Sequence, residues 1–342
     1  MINVVSFPGL GLEFTLNRVA LTILGRPIYW YGVIIASGLL LAVFLCIKWG
    51  PRFGINEDQI IDMMLFAVPA ALVAIRVYYV VFNLDLYRLA DGSLDWGAIL
   101  RYSDGGLAIY GAIISSAIVL LIFCRVRKIS FLAFADLGVH GLFIGQLIGR
   151  WGNFMNVEAY GGPTTLPWRM CSESIAWEML SKGYVDEAGA QAILTGNLGV
   201  HPTFLYESVW NLAGLVMVYF LGKKRKFDGQ CFLFYFFWYG LGRAWIEGLR
   251  TDSLYFFGLE LFGAPIRTSQ MLAALSAVAA AVALVWMWRR SLQAPRALYV
   301  DRLAAQEAAE PVEDLPERET EELSERPTGG ENRPPEDAQK EE

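Results

Sequence analysis

Residues 142–158 read LFIGQLIGRWGNFMNVE, and they join an apolar run to a block of amides and charges. The first half suits the interior of a membrane, whereas Arg150, Asn153, Asn156 and Glu158 crowd into its second half. Charge at the end of a hydrophobic segment is common, but a block of this kind, with two glycines that let backbones approach, is not. The stretch therefore indicates a membrane-spanning helix that ends in a polar site.

The composition is that of a polytopic membrane protein. Of the 342 residues, 55% are hydrophobic and 18% are charged, whereas an average soluble domain carries roughly 25% charged residues. Mean hydropathy is +0.39, and apolar runs of spanning length recur along the chain. The four cysteines lack CxxC spacing, so neither a zinc site nor a disulfide framework is expected.

Seven apolar segments predict an all-α fold with seven transmembrane helices. Each is roughly 18–23 residues long, which is enough to cross a ~30 Å hydrocarbon core. The predicted helices cover about 28–48, 60–82, 105–124, 131–149, 203–221, 230–247 and 268–288. Together they make a transmembrane domain at 28–290. Residues 1–27 are predicted to be an amphipathic interfacial segment, and about 150–202 an external cap loop.

The distribution of basic residues predicts the orientation. Short loops on one side contain Lys48, Arg125, Lys128 and Lys224, among other basic residues, and loops rich in Lys and Arg are cytoplasmic. The N-terminus is therefore expected outside and the C-terminus inside. The tail at 304–342 holds 14 acidic and 4 basic residues, and its composition predicts a disordered, acidic cytoplasmic segment.

Arginines in or beside the apolar segments predict an anion site. Arg76, Arg150 and Arg243 are all expected toward the outer leaflet, and the planar guanidinium fork suits phosphate oxygens. Glu247 and Arg250 follow Arg243 at spacings of four and three, which places these charges on one helix face. Each also has an ordinary explanation: Arg76 as a satisfied structural charge, Arg150 as a snorkelling residue, and Arg243 as the helical partner of Glu247.

Three further features lie near the predicted outer face. Trp30-Tyr31-Gly32 opens the first helix, and Gly105-Gly106 precedes Tyr110 at the start of the third. His201 precedes the fifth helix, whose N-terminal dipole also favours an anion. The other histidine, His140, lies in mid-membrane and is expected to be a hydrogen-bonded packing residue.

These motifs, in this order, resemble those of the bacterial prolipoprotein diacylglyceryl transferase family. The resemblance spans about residues 20–290, and its most specific part is GRWGNFMNVE at 149–158. The weaker motifs are Trp30-Tyr31-Gly32, GGLAIYG at 105–111, His201-Pro202 with Leu205-Tyr206-Glu207, and Tyr239-Gly240 with Arg243, Glu247 and Arg250.

The resemblance implies a reaction and its partners. The family transfers the diacylglyceryl group of phosphatidylglycerol to the thiol of a lipobox cysteine in a preprolipoprotein signal peptide. The reaction leaves a thioether and releases glycerol phosphate. It needs no metal and no soluble cofactor, and no nucleic acid partner is expected. The implied location is the bacterial cytoplasmic (inner) membrane, where the active site faces the outer leaflet and its lipids.

The resemblance also implies roles for individual residues. Arg150 and Arg243 would hold phosphate, and Glu247 would position Arg243. The implied catalytic set consists of Arg150, Arg243, Tyr110 and Glu247. The implied phosphatidylglycerol-binding set is Arg150, Asn153, Asn156, Glu158, Tyr31, Arg76, Gly105, Gly106 and His201.

Tyr110 departs from those family members that carry a histidine, a proposed base, at its position. A phenol with a pKa near 10 is a poor base at neutral pH. We therefore expect electrostatic stabilisation by the arginines, and not a side-chain base, to assist loss of the thiol proton. The acidic tail is an addition to the family core.

Two other functional classes fit parts of the pattern. A transporter or flippase of an anionic lipid or organic anion would use the same arginines, but it should show internal symmetry or paired broken helices. A structural membrane scaffold leaves the cluster of arginine, asparagine and glutamate without a purpose.

Overall fold

The computed structural model describes residues 2–89, 91–102, 105–251, 255–261 and 264–309. It is mostly helical, and six of the helices in these ranges are long and apolar enough to cross a membrane. The protein is therefore a polytopic membrane protein, as the composition predicts. Helices α1 to α11 are Trp30–Trp49, Glu57–Phe82, Trp96–Ile99, Ile109–Val126, Phe131–Asn156, Glu173–Ser181, Glu187–Leu194, Thr203–Lys223, Gln230–Ile246, Thr268–Gln293 and Tyr299–Ala309.

The seven predicted spanning segments coincide with α1, α2, α4, α5, α8, α9 and α10. Six of these are the helices of spanning length and hydropathy. The other, α9, has 17 residues and ends at Ile246, after which Glu247–Leu249 form a 3₁₀ turn. The apolar runs thus locate the long helices well, because hydropathy directly reports burial in lipid or in the bundle.

Short antiparallel strands correct the all-α prediction. Strands β1 to β9 are Ile2–Phe7, Leu12–Asn17, Val19–Ile23, Arg26–Tyr29, Pro163–Thr164, Cys171–Ser172, Gly199–Val200, Tyr255–Leu261 and Ala264–Arg267. Most of the N-terminal segment, predicted as an amphipathic surface stretch, therefore folds as two hairpins, β1–β2 and β3–β4. The sequence pattern does not reveal this pairing, because β1 also pairs with β6, far along the chain, where Val5 lies opposite Ser172.

The cap is a small folded layer built from the N-terminal hairpin and the 157–202 segment. Val5 and Phe7 of β1 are buried against Ile175 and Met179 of α6 and against Phe204 at the start of α8. This shared core explains why β1 folds as part of the cap: burial of Val5 and Phe7 there removes apolar surface from water. The predicted cap loop is thus a structured layer that begins at the C-terminal end of α5.

Helix α5 is central to the bundle and packs against both α1 and α8. Helices α8 and α9 are joined by Trp210 and Trp238, whose rings stack at 4.3 Å. Each indole N–H donates to the other residue's backbone carbonyl, at 3.0 and 2.9 Å. Gly242 faces this pair, and a Cβ there would overlap the Trp210 indole. This close contact places the end of α9 beside the start of α8.

The opposite end of α5 is held by a buried aspartate. Asp136 accepts the backbone N–H groups of Gly229 and Phe232, both at 2.8 Å, and so caps the start of α9. His140 lies one turn further along, with Nδ1 2.9 Å from the Asp136 carbonyl and its ring against Trp49 and Phe53. The prediction that His140 is a packing residue is confirmed.

The acidic tail begins later than predicted. Residues 304–309 belong to α11, whereas the sequence predicts disorder from 304. Helix-forming residues such as Ala304, Ala305 and Ala308 account for the difference. The prediction for 310–342 lies outside the described residues.

Candidate active site

Glu207 is the centre of a buried ion cluster. Its side chain is 5% exposed, and it lies on α8, one turn after the helix begins at Thr203. Three guanidiniums converge on its carboxylate: Arg150 Nη2 lies 2.5 Å from Oε2, and Arg250 Nη1 lies 3.3 Å and Arg243 Nη1 3.8 Å from Oε1. A carboxylate in this position both neutralises and orients the arginines.

Among the described residues, Arg243 makes its close ion pair through one side of its guanidinium. Its Nη2 lies 2.6 Å from Glu247 Oε2, while its Nη1 stays beyond hydrogen-bond distance of Glu207. Arg250 lies after the 3₁₀ turn and not on α9 itself, yet its guanidinium still reaches Glu207. The predicted proximity of the three charges is confirmed, although they do not lie on one continuous helix.

The five charged groups leave a formal excess of one positive charge. Arg150, Arg243 and Arg250 contribute three guanidiniums against the two carboxylates of Glu207 and Glu247. Both carboxylates are nearly fully buried, while the Arg150 and Arg243 side chains are 20% and 22% exposed. The two arginines therefore present the positive charge to whatever enters from outside the cluster.

A small pocket adjoins the cluster. Glu207 and Arg243 line it together with Asn211, Trp210 and Tyr239. Asn211 is 3% exposed, and its amide oxygen has no hydrogen-bond partner in the described part of the chain. A buried acceptor in this condition needs a donor from a ligand or a water molecule. The pocket has room for a group about the size of a water molecule or a hydroxyl.

Arg150 links the cluster to the block that ends α5. Tyr31 lies in the electrostatic field of both Arg150 and Glu158, and its ring packs against Gly152, where a Cβ would come within 2.9 Å of the ring. Asn153 Nδ2 donates to Glu158 Oε1 at 2.9 Å. Tyr31, Asn153 and Glu158 thus form a polar group beside Arg150.

Asn156, the last residue of α5, contacts the N-terminal segment through its backbone. Its carbonyl accepts Arg18 Nη2 at 2.5 Å, and the next residue, Val157, ends α5 in a left-handed conformation with φ of 55°. These contacts tie the N-terminal segment to the end of α5. They give Asn156 a positioning role, and the predicted contact of its side chain with lipid stays a prediction.

Arg76 does not share the contacts of the other arginines, and its predicted contact with the lipid stays a prediction. Its Nε and Nη2 donate to the carbonyls of Ile99 and Ala98, at 2.8 and 2.7 Å, and its Nη1 donates to those of Gly105 and Gly106, at 2.6 and 2.9 Å. Backbone carbonyls therefore accept hydrogen bonds from four of the five N–H groups of its guanidinium. In these contacts the buried arginine holds the segment at 98–106 against α2. Gly105 and Gly106 are its partners, and both have the positive φ that glycine permits.

Tyr110 lies in the first turn of α4. Its side chain is 53% exposed, and its ring lies 6.1 Å from that of Tyr78 on α2. Tyr110 is therefore exposed, whereas the carboxylates of the ion cluster, Glu207 and Glu247, are buried. Its predicted catalytic role stays a prediction.

His201 lies immediately before α8 in a short hydrogen-bonded chain. The Tyr206 hydroxyl accepts the Trp168 indole N–H at 2.7 Å and lies 3.2 Å from His201 Nδ1. Burial lowers the pKa of His201, so the imidazole is neutral at neutral pH. His201 also receives the backbone N–H of Gly161 on its carbonyl at 2.9 Å.

Three residues of the site have no assigned role in the sequence interpretation. Glu207 stands within a quoted motif, but its importance depends on arginines that come from α5, α9 and the segment after α9. Asn211 follows it by one helical turn, a spacing that would have placed it on the same face. Gly161 lies where a Cβ would be 2.8 Å from both the His201 Cβ and the Leu249 carbonyl, so it allows the cap segment to pack closely here.

The fold and the site define a polytopic membrane protein with a buried, net-positive ion cluster suited to an anionic group. Comparison with known proteins makes the class specific. Residues 18–286 match the profile of the family described as "Prolipoprotein diacylglyceryl transferase". The chain belongs to the prolipoprotein diacylglyceryl transferase family, as the motifs predict.

Similar proteins cover most of the chain. A protein of Oceanobacillus iheyensis is 40% identical over 271 residues, which is 79% of this chain and 88% of that protein. A protein of Lysinibacillus sphaericus is 38% identical over 290 residues, which is 85% of this chain and 98% of that protein. A protein of Clostridioides difficile is 35% identical over 276 residues, which is 81% of this chain and 97% of that protein. All three are named phosphatidylglycerol–prolipoprotein diacylglyceryl transferase. The transporter and scaffold classes are therefore set aside.

Proposed function

We propose that the ion cluster around Glu207 binds the phosphate of phosphatidylglycerol during diacylglyceryl transfer. The protein is a transferase that moves the diacylglyceryl group from phosphatidylglycerol to a prolipoprotein, the activity of its family. The observation that carries the assignment of the site is the convergence of Arg150, Arg243 and Arg250 on one buried carboxylate.

Charge supports this assignment. A phosphodiester carries one negative charge, which matches the single positive charge left over by the five groups. Arg243 contributes the Nη1 side of its fork, because Glu247 already holds Nη2. Arg150 contributes the donors that Glu207 does not occupy.

The reaction exchanges a carbon–oxygen bond for a carbon–sulfur bond. The sulfur of the lipobox cysteine attacks the glycerol carbon that bears the phosphate, and the thiol proton passes to solvent. The bond between that carbon and the phosphate oxygen breaks, and its electron pair leaves with glycerol phosphate. Negative charge grows on the departing phosphate, where fixed guanidiniums stabilise it. The same positive field favours the thiolate over the thiol as nucleophile.

Asn211 supplies an acceptor for the lipid headgroup. Its amide oxygen has no hydrogen-bond partner in the described part of the chain, and Asn211 lines the small pocket beside Arg243. A glycerol hydroxyl of phosphatidylglycerol would satisfy it, and a lipid without such a hydroxyl would leave it buried and unpaired. Tyr31, Asn153 and Glu158 flank Arg150 and are assigned to orienting it and contacting the headgroup.

The topology follows from α9 and the basic loops. We assign α9 as the seventh span, because it packs between α8 and α10 and begins next to Lys223–Lys226. The N-terminus and cap then lie outside, the ion cluster faces the outer leaflet, and α11 is cytoplasmic. The membrane is the bacterial inner membrane, where phosphatidylglycerol and the lipobox of a preprolipoprotein signal peptide both reach the site laterally between helices.

A reconstituted reaction tests the proposal. Vesicles of phosphatidylglycerol with the full chain and a lipobox peptide should release glycerol phosphate only when the peptide carries its cysteine thiol. Phosphatidylethanol keeps the phosphodiester but lacks the glycerol hydroxyls, so it should react with a lower kcat/KM if Asn211 binds the headgroup. Equal rates for the two lipids would contradict that contact, and release without the thiol would contradict the transfer.

Tyr110→Phe should retain kcat within about threefold of the wild type. The phenol is exposed, and the proposed site assigns loss of the thiol proton to the positive field of the arginines. The measurement is turnover of the lipobox peptide beside Arg243→Ala, which should lose nearly all activity. If Tyr110→Phe were as inactive as Arg243→Ala, an electrostatic role of the arginines alone would be untenable.

A further inference from the structure

A second cationic site lies at the other end of the bundle. A cavity of about 400 Å³ opens where α4 turns into α5, and it is lined by Arg125, Lys128, Ser130, Tyr299 and Arg302. Ser130 and Arg150 are separated along α5 by about 30 Å at 1.5 Å per residue. One phospholipid headgroup cannot occupy this cavity and the Glu207 cluster together.

The charges in this cavity are poorly compensated. In the ranges that the structure describes, neither Arg125 nor Lys128 has a carboxylate within 4.0 Å, and Arg302 lies 3.7 Å from Asp228. Arg127, in the same turn, is different because it pairs with Asp62. The N-terminus of α5, capped by Ser130, adds the positive end of a helix dipole.

Lys128 occupies a backbone position that favours glycine. Its φ is 57°, and the N–H of the following residue, Ile129, bonds the Cys124 carbonyl at 2.9 Å. This is the Schellman arrangement at the end of α4, where the left-handed residue is usually glycine. Lysine in this conformation costs conformational energy, which points to a use for its ammonium group beyond folding.

The neighbouring surface of α4 is apolar and exposed. Ile118, Leu121, Ile122 and Val126 are 50%, 51%, 58% and 73% exposed, and they lead along the helix to the cavity. An occupant with a phosphate in the cavity and hydrocarbon along this strip would satisfy both surfaces. A phospholipid has this form, and a soluble anion does not.

We propose that this cavity binds the headgroup phosphate of an anionic phospholipid in the cytoplasmic leaflet, separately from the substrate. The proposal rests on the proposed function only for the orientation of the chain. Arg125 and Lys128 provide the charge, Arg302 and the helix dipole add to it, and the acyl chains lie along α4. The site would hold a lipid that is not consumed.

Lipid counting by native mass spectrometry tests the site. The full chain, without any lipobox peptide, is titrated in neutral detergent with dioleoyl phosphatidylglycerol, and with zwitterionic dioleoyl phosphatidylcholine as the comparison. The wild type should bind two phosphatidylglycerols, and the Arg125→Gln/Lys128→Gly double variant only one at the same concentrations. Arg127→Gln, which removes one positive charge from the same turn, should still bind two.

Further outcomes decide each step. Lys128→Gly alone should melt at or above the wild-type temperature without anionic lipid; a lower melting temperature would overturn the strain argument. An unchanged count in the double variant, or displacement of the lipid by millimolar inorganic phosphate, would overturn the lipid site. Labelling of Lys128→Cys by an impermeant maleimide from outside intact cells would also overturn it, whereas loss of turnover with both lipids retained would concern only the Glu207 cluster.

Discussion

Glu207→Gln is expected to lower kcat/KM for phosphatidylglycerol by about 100-fold or more. The substitution keeps the shape of the side chain but removes the buried charge on which Arg150, Arg243 and Arg250 converge. Guanidiniums that are no longer held in place stabilise the departing phosphate less, and losing one preorganised donor of this kind typically costs about 100-fold or more in rate. Initial rates of glycerol phosphate release measure the effect.

Glu178→Gln is the matched control for this substitution. Glu178 pairs with Lys182 at 2.6 Å on the exposed surface of α6, and such pairs contribute little. Its kcat/KM should stay within about twofold of the wild type. If Glu207→Gln also kept wild-type rates and the wild-type melting temperature, the carboxylate would not organise the arginines.

Arg243→Lys should reduce kcat by about 100-fold while KM changes much less. Lysine preserves the charge and can still pair with Glu247, but it cannot also offer the second side of a planar fork to phosphate. An interaction made mainly as charge develops in the transition state affects kcat more than KM. Steady-state kinetics across a range of phosphatidylglycerol fractions separate the two constants.

Arg127→Lys controls for the exchange itself. Arg127 pairs with Asp62 in the loop after α4, where a lysine ammonium can replace the guanidinium, so activity should be unchanged. Near-normal kcat in Arg243→Lys would mean that positive charge alone suffices and that the fork geometry is not used.

Hydropathy was sufficient to place the long helices but not the strands. The predicted segments coincide with α1, α2, α4, α5, α8, α9 and α10, because a run of apolar residues is a local property. The pairing of β1 with β6 is not local. Polar and apolar residues alternate too weakly at 2–7 to predict a strand. The buried side chains of this strand are covered by α6 and the start of α8, which are distant in the sequence.

The sequence predicts the kind of site, a cluster of arginines, but only some of the residues that form it. Arg150, Arg243, Glu247 and Arg250 were all singled out from spacing and depth, and they do converge. Arg76 has the same chemistry and a similar expected depth, but backbone carbonyls from 98–106 surround its guanidinium. Which arginines join the Glu207 cluster and which bond backbone carbonyls depends on contacts between residues far apart in the sequence.

The excess of one positive charge in the cluster also bears on how the enzyme empties its site. Glycerol phosphate is a monoester with a second pKa near 6, so at neutral pH it carries almost two negative charges where the substrate carried one. Together with Glu207 and Glu247, the product then outweighs the three guanidiniums, and repulsion favours its departure. Product inhibition should therefore be weak at pH 7.5 and stronger below about pH 6, and a pH-independent inhibition constant would contradict this.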